Sequence, residues 1–329
     1  MRDSLTALCA GFIQNRDIIK KTFAWDSALI HPVAATVFID KGMSADPLQL
    51  EYCRNLLKEK TGIFSNFRSH IKIPMIAMMA TSAAPEQKLQ DTLLIYEKLR
   101  LHFSSSAYLP LAAMTISNFV PPESYDEMAA RTRRIYDLMK KDHPFLTSGE
   151  DSAFAALLAL SNKSDDQLMH DAQYCYHMLK PHFSSGNAVQ SLSHVLVLGS
   201  DFAEENCSQT LQLADKLKYR GYKYGTGHEL ATLGVAAMLP AALDNIADDI
   251  VQVADFLSQQ KGYGIFGATK TQRLMHAAMI TSSDYLGTNE SMQAASVSST
   301  ISVIIAQQTA MCAAIAATTA ATAANAANS

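Results

Sequence analysis

Helix-breaking residues are scarce in this 329-residue chain. It has 14 glycines and 10 prolines, roughly 7% of the sequence where about 12% is usual. Few breakers leave few loops, which points to helices. Positive charge is not in excess either. Lys and Arg number 27 against 31 Asp and Glu, a formal net charge of −4, and this disfavours a general nucleic-acid binder. The five cysteines (Cys9, Cys53, Cys175, Cys207 and Cys312) are odd in number, scattered, and form no C-x-x-C pair. That speaks against a disulfide frame or a zinc site and suits reduced, mostly buried thiols in a cytoplasm. The opening MRDSLTALCAGFIQNRDIIKK lacks the long apolar core and cleavage pattern of a secretory signal. Leu5, Leu8, Phe12 and Ile13 recur there at helical spacing and predict a leading helix over 3–21. No clear alternating run is flanked by hairpin turns, so strands find little support. Apolar residues are plentiful: 48% of the chain is hydrophobic and 18% charged, enough to bury a substantial core.

A repeat runs along the chain. Aromatic residues open a recurring unit at Phe23, Phe64, Phe103, Phe145, Phe183, Tyr222 and Tyr263, at steps of 41, 39, 42, 38, 39 and 41 residues. After each comes a short polar or glycine-bearing stretch, then a compact run rich in Ala, Leu and Met, such as IPMIAMMA from Ile73 or AFAALLALS from Ala153. A polar turn follows, often with proline (Pro47, Pro85, Pro121, Pro122), which fits the first turn of a second helix. That second helix carries its own register. Cys53, Tyr96, Tyr136, Tyr176, Ala214 and Ala254 are each followed three residues later by Leu56, Leu99, Met139, Leu179, Leu217 and Leu257. Ser164 and Gln167 have the form of a capping box.

The first helix of each unit is apolar nearly all round, and the second keeps a charged face, as in KLQDTLLIYEKLR from Lys88. The fold expected is all-α: about seven helical hairpins of ~40 residues in one domain over 1–290, stacked as a strongly curved α-solenoid or a closed α/α toroid. Residues 291–329 contain no charged residue or histidine and are rich in alanine. Ile301, Ile304, Ile305, Cys312 and Ile315 mark a stripe over 301–317, read as a closing helix followed by a frayed end. A membrane span is disfavoured by Gln307 and Gln308 at its centre. Self-association through 291–317 is the remaining reading.

Several stretches resemble a bacterial family known as domain of unknown function 4003. They are EKTGIFSNFR (59–68), ARTRRIYDLMKKDHPFLTSGEDS (130–152), SSGNAVQSLSHVLVLG (184–199), YKYGTGHELATLGVAAMLP (222–240) and the tail ISVIIAQQTAMCAAIAA. The resemblance covers nearly the whole chain and implies a bacterial, cytoplasmic protein. It carries over no catalytic residue and no cofactor.

Candidate chemistry gathers where the apolar helices begin, since stacked repeats place equivalent openings on one rim. Counting six residues past the opening aromatics gives His70, Asp151, His228 and Thr269 in one column, with Arg68, Glu150, Gln190, Glu229, Lys270 and Arg273 beside them. These could bind a small molecule or peptide. As an alternative, His70, Asp151 and His228 could hold a metal or act as acid and base in a toroid enzyme. The plainer reading is that they are helix caps in water. Gly262 to Gly267 spell G-x-G-x-x-G, but a helical segment precedes them, so a helix C-cap and turn is expected rather than a dinucleotide fingerprint. His143, Ser148 and Ser152 lack a nucleophile elbow. His194 and His276 read as core histidines, and Arg131, Arg133, Arg134, Lys140 and Lys141 as a solvated face. No reaction or substrate class follows from the sequence.

Overall fold

The computed structural model describes residues 1–288 except Phe64, His70, Glu150, Ser200, Asp201, His228, Ile265 and Phe266, together with Ala314 and Ile315. The described residues form fourteen α-helices and no strand. They are α1 (Asp3–Thr22), α2 (Ile30–Ile39), α3 (Pro47–Lys60), α4 (Lys72–Ala80), α5 (Pro85–Arg100), α6 (Leu109–Phe119) and α7 (Tyr125–Asp142), then α8 (Asp151–Ala159), α9 (Asp165–Leu179), α10 (Gly186–Gly199), α11 (Ala203–Tyr219), α12 (Leu230–Ala237), α13 (Leu243–Ser258) and α14 (Lys270–Thr288). The leading helix expected over 3–21 is α1. Of the closing helix expected over 291–317, Ala314 and Ile315 are described, both helical and buried; the rest lies outside the described residues. Among these residues no helix is long and apolar enough to cross a membrane.

From α2 to α13 a short apolar helix alternates with a longer amphipathic one. Every residue of α2, α8 and α12 is buried, as a sequence such as DSAFAALLA requires. The partner helices bury one stripe each, Ile246, Ile250, Val253 and Leu257 in α13 for example. Pro47 and Pro85 stand at the first position of α3 and α5, where no amide is needed. Asp46 caps α3, its carboxylate accepting from the Leu48 amide at 3.0 Å. Of the second register, Leu56, Leu99, Met139, Leu179, Leu217 and Leu257 are all buried, while three residues before them Cys53, Tyr136 and Ala254 are buried and Tyr96, Tyr176 and Ala214 half-buried.

The opening aromatics follow the count less strictly. Phe103 packs edge-on against Tyr136 of α7 at 5.3 Å. In the α3–α4 connection the equivalent contact is made by Phe67, against Tyr96 of α5 at 4.9 Å; Phe64, the residue the spacing selects, lies outside the described residues. Phe145 is 98% exposed and anchors nothing. Connection lengths differ, so a fixed count drifts by a few residues.

The molecule comprises two compact units, one formed by Asn15–His170 and the other by Met1–Gln14 with the chain from Asp171. In the first, α2 packs on α4 and α6 on α8, while α3 packs on α5 and α5 on α7. In the second, α10 packs on α12 and α12 on α14, while α11 packs on α13. In both, apolar helices meet apolar helices and amphipathic ones meet amphipathic ones.

Ser164 Oγ accepts from the Gln167 amide at 3.2 Å, the forward half of the expected capping box. Ser164→Ala is expected to cost about 1 kcal/mol of stability, measurable as a lowered urea midpoint. An unchanged midpoint would show that water caps the helix equally well.

Candidate functional site

A cleft in the unit Asn15–His170 lies where α1 ends and α4 begins. Its volume is about 320 Å³, and it is lined by Phe23, Trp25, Asp26, Arg54, Lys58, Arg68 and Lys72, with Leu57 and Ile76 supplying apolar wall. Phe23 continues the last turn of α1, its amide donating to Ile19 O at 2.9 Å, and its buried ring forms the floor. The Arg54 guanidinium stands 5.8 Å from the centre of that ring. Two residues on, Trp25, the one tryptophan in the chain, is fully exposed. A large aromatic left in water at a cleft mouth lacks the burial that normally retains it.

Charge around the cleft is unbalanced. Arg54, Lys58, Arg68 and Lys72 face a single carboxylate, Asp26. Lys72, the first residue of α4, pairs with Asp26 at 2.6 Å. Arg54 reaches Glu51 only at 3.5 Å, and its Nε is buried without a hydrogen-bond partner. Such a donor favours an anion that can satisfy it. His31, second residue of α2, is almost fully buried. Burial lowers its pKa, with Asp26 and the Phe23 carbonyl acting in the opposite sense, so a neutral ring is favoured near pH 7.

Arg68 is the one described site candidate from the sequence that lines this cleft. It also braces the end of α3: Nη2 donates to the carbonyls of Lys58 and Thr61, and Nε to Thr61 Oγ1 at 3.3 Å. His70, Glu150 and His228 lie outside the described residues. Asp151, also in the first unit, accepts through Oδ2 from the Ser148 amide at 2.7 Å and the Ser148 hydroxyl at 3.4 Å, the work of a helix cap. Ser152 donates to Gly149 O at 2.8 Å.

The remaining candidates belong to the other unit. Gln190 is buried on α10. Glu229 precedes α12 and folds its carboxylate over Gly225, leaving no room there for a Cβ. Lys270 is exposed at the start of α14, and Arg273 is half-buried one turn on. Among the described residues no group of three or more His, Cys, Asp or Glu is placed to hold a metal ion.

The glycine fragment behaves as a turn. Gly262 stands in the turn four residues past the end of α13, at φ +92°, and Ala268 N donates to its carbonyl at 2.8 Å; the C-cap of α13 is Gln259, not the glycine expected, and Ile265 and Phe266 lie outside the described residues. His276 is a hydrogen-bonded core histidine, its Nδ1 2.8 Å from the Tyr263 hydroxyl, and His194 is buried on α10. Arg131 departs from the expected solvated face. It is mostly buried, pairs with Asp165 at 2.9 Å and donates to Ala159 O and Ser161 O, tying α7 to the α8–α9 turn.

Comparison with known proteins places the chain. The family model described as "Protein of unknown function (DUF4003)" matches residues 15–310. The chain belongs to the DUF4003 family. A relative of this DUF4003 chain is "Uncharacterized protein YeaA" of Bacillus subtilis (strain 168), 25% identical over 269 residues, which cover 78% of each chain. No solved structure matches it. The cleft residues Trp25, Arg54, Lys58 and Lys72 of the DUF4003 chain escape a motif search because they come from three separate elements. The one available signal is the lone tryptophan in a polar turn, FAWDS.

Proposed function

We propose that this chain binds a small organic anion carrying a flat ring, such as an aryl phosphate or carboxylate, in the cleft beside Trp25. The carrying observation is four cationic side chains and one exposed tryptophan lining a cleft in which Asp26 is the one lining carboxylate among the described residues. Arg54 and Lys72 would hold the anionic group, and Trp25 would stack on the ring. A volume of about 320 Å³ suits a compact molecule better than a peptide. The cleft lies where apolar helices begin, which supports a ligand rim at those openings. The alternation of helices supports a reading as helical-hairpin repeats, in a curved solenoid or closed toroid. Buried free cysteines support a reducing, cytoplasmic setting.

Trp25 makes the test direct. Phenyl phosphate is expected to change its emission in a saturable way, whereas neutral phenol is not. Arg54→Ala and Lys72→Ala are each expected to weaken binding about tenfold, close to one charge-assisted contact, and added salt is expected to weaken it further. A titration without saturation, or equal binding by both folded variants, would refute the proposal.

A further inference from the structure

The four cysteines among the described residues do not line the cleft, and they are not alike. Burial pushes the thiols of Cys9 and Cys53 up to about 12, helped by Asp284 and Glu86 respectively. These are inert, structural sulfurs. Cys175 on α9 and Cys207 on α11, equally buried, are instead neighbours. The Cys175 thiol hydrogen-bonds that of Cys207, which lowers the Cys207 pKa in spite of burial. Independently, Cys175 Sγ approaches Ala203 O at 3.9 Å, one helical turn before Cys207. The Cys175 thiol of α9 thus rests against the first turn of α11, the turn that leads into Cys207, 32 positions on in sequence.

We propose that Cys175 and Cys207 form a dithiol modification site that hydrogen peroxide converts into an intramolecular disulfide. Cys207 is assigned as the attacking sulfur and Cys175, whose thiol donates to Ala203 O, as the resolving one. In the first step the Cys207 thiolate attacks one peroxide oxygen. An S–O bond forms, the O–O bond breaks, and hydroxide leaves as water after taking a proton, giving a sulfenic acid. In the second step the Cys175 sulfur, having lost its proton, attacks the sulfenic sulfur. The S–S bond forms, the S–O bond breaks, and the departing hydroxide takes that proton as a second water. The two sulfurs together give up two electrons, and the peroxide is reduced to two waters. Peroxide reaches the pair through local opening at the start of α11, because helix ends are low-stability elements.

The test treats the full-length protein with hydrogen peroxide, alkylates the remaining thiols after denaturation and maps the peptides by mass spectrometry. The expected result is loss of two alkylatable thiols per chain, a Cys175–Cys207 cross-link, and recovery of both with dithiothreitol. In Cys175→Ser the reaction is expected to stop at a sulfenic acid on Cys207 that dimedone captures, with Cys9 and Cys53 still alkylatable. Survival of all thiols, a cross-link joining other cysteines, or oxidation spread evenly over the chain would overturn the proposal. Mapping of the wild-type protein alone decides this, should a variant fail to fold.

Discussion

Replacing Arg2 with alanine is expected to destabilise the protein by about 3 kcal/mol, the lower end of the range for removing one partner of a buried ion pair. Arg2 Nη2 lies 2.8 Å from Asp249 Oδ2 on α13 and 2.8 Å from Asp284 Oδ2 on α14. Its guanidinium also sits 4.6 Å from the ring centre of Tyr285, whose hydroxyl donates to Asp249 at 2.8 Å. The side chain of Asp284 is 0% exposed and that of Asp249 is 9% exposed, whereas that of Arg2 is 44% exposed. Removing the arginine therefore loses little packing but leaves two buried carboxylates to repel each other at low dielectric. Solvent already screens the exposed part of Arg2, hence the lower end of the range. Arg2→Lys keeps the charge, but a single ammonium replaces the planar fork, so an intermediate loss is expected. Asp284→Asn in the Arg2→Ala background is expected to recover part of the loss, because one repelling charge is gone. Urea unfolding of the four proteins gives the comparison. A loss below 1 kcal/mol in Arg2→Ala would show that this clasp contributes little.

The second large effect concerns Lys88, near the start of α5. Its ammonium is driven into the C-terminal end of α6, donating to Met114 O and Ser117 Oγ, both at 2.9 Å, and to Asn118 Oδ1. Burial lowers its pKa to about 7, with Asp91 opposing the shift and Lys41 adding to it. The unfolded value is near 10.5. Between these values the unfolded chain binds more protons, so stability rises with pH across the window. From pH 7 to 8.5 the gain from this one group comes to about 1.7 kcal/mol. The interval stops short of the ionisation of the Cys9 and Cys53 thiols and of the buried Tyr125 and Tyr285. Lys88→Met is expected to flatten that rise in urea midpoints. An equal rise in the variant would assign the pH dependence to other groups.

Much of the architecture is legible in the sequence because it rests on local periodicity. Apolar runs such as AFAALLALS have no polar face to expose, and the residues at Leu56, Leu99, Met139, Leu179, Leu217 and Leu257 are buried as their spacing requires. The rim column is less legible. It assumes connections of constant length, whereas Phe67 packs on Tyr96 three residues past the position counted. Of the cleft, the sequence singles out Arg68 as a site candidate and Phe23 as an opening aromatic, whereas its other cations come from α3 and α4 and Trp25 from the turn after α1. Arg2 meeting Asp284, Lys88 meeting α6 and Cys175 meeting Cys207 are long-range encounters with no local signature. Only the packed chain brings those groups together.

The central claim is that the cationic cleft holds a ring-bearing anion against Trp25. A single tryptophan gives a single indole N–H resonance in the ¹⁵N-labelled protein. Titration with phenyl phosphate is expected to move that resonance to a plateau, with no movement for phenol and a much weaker response in the Arg54→Ala, Lys72→Ala double variant. A resonance that stays still, or that follows phenol equally, would contradict it.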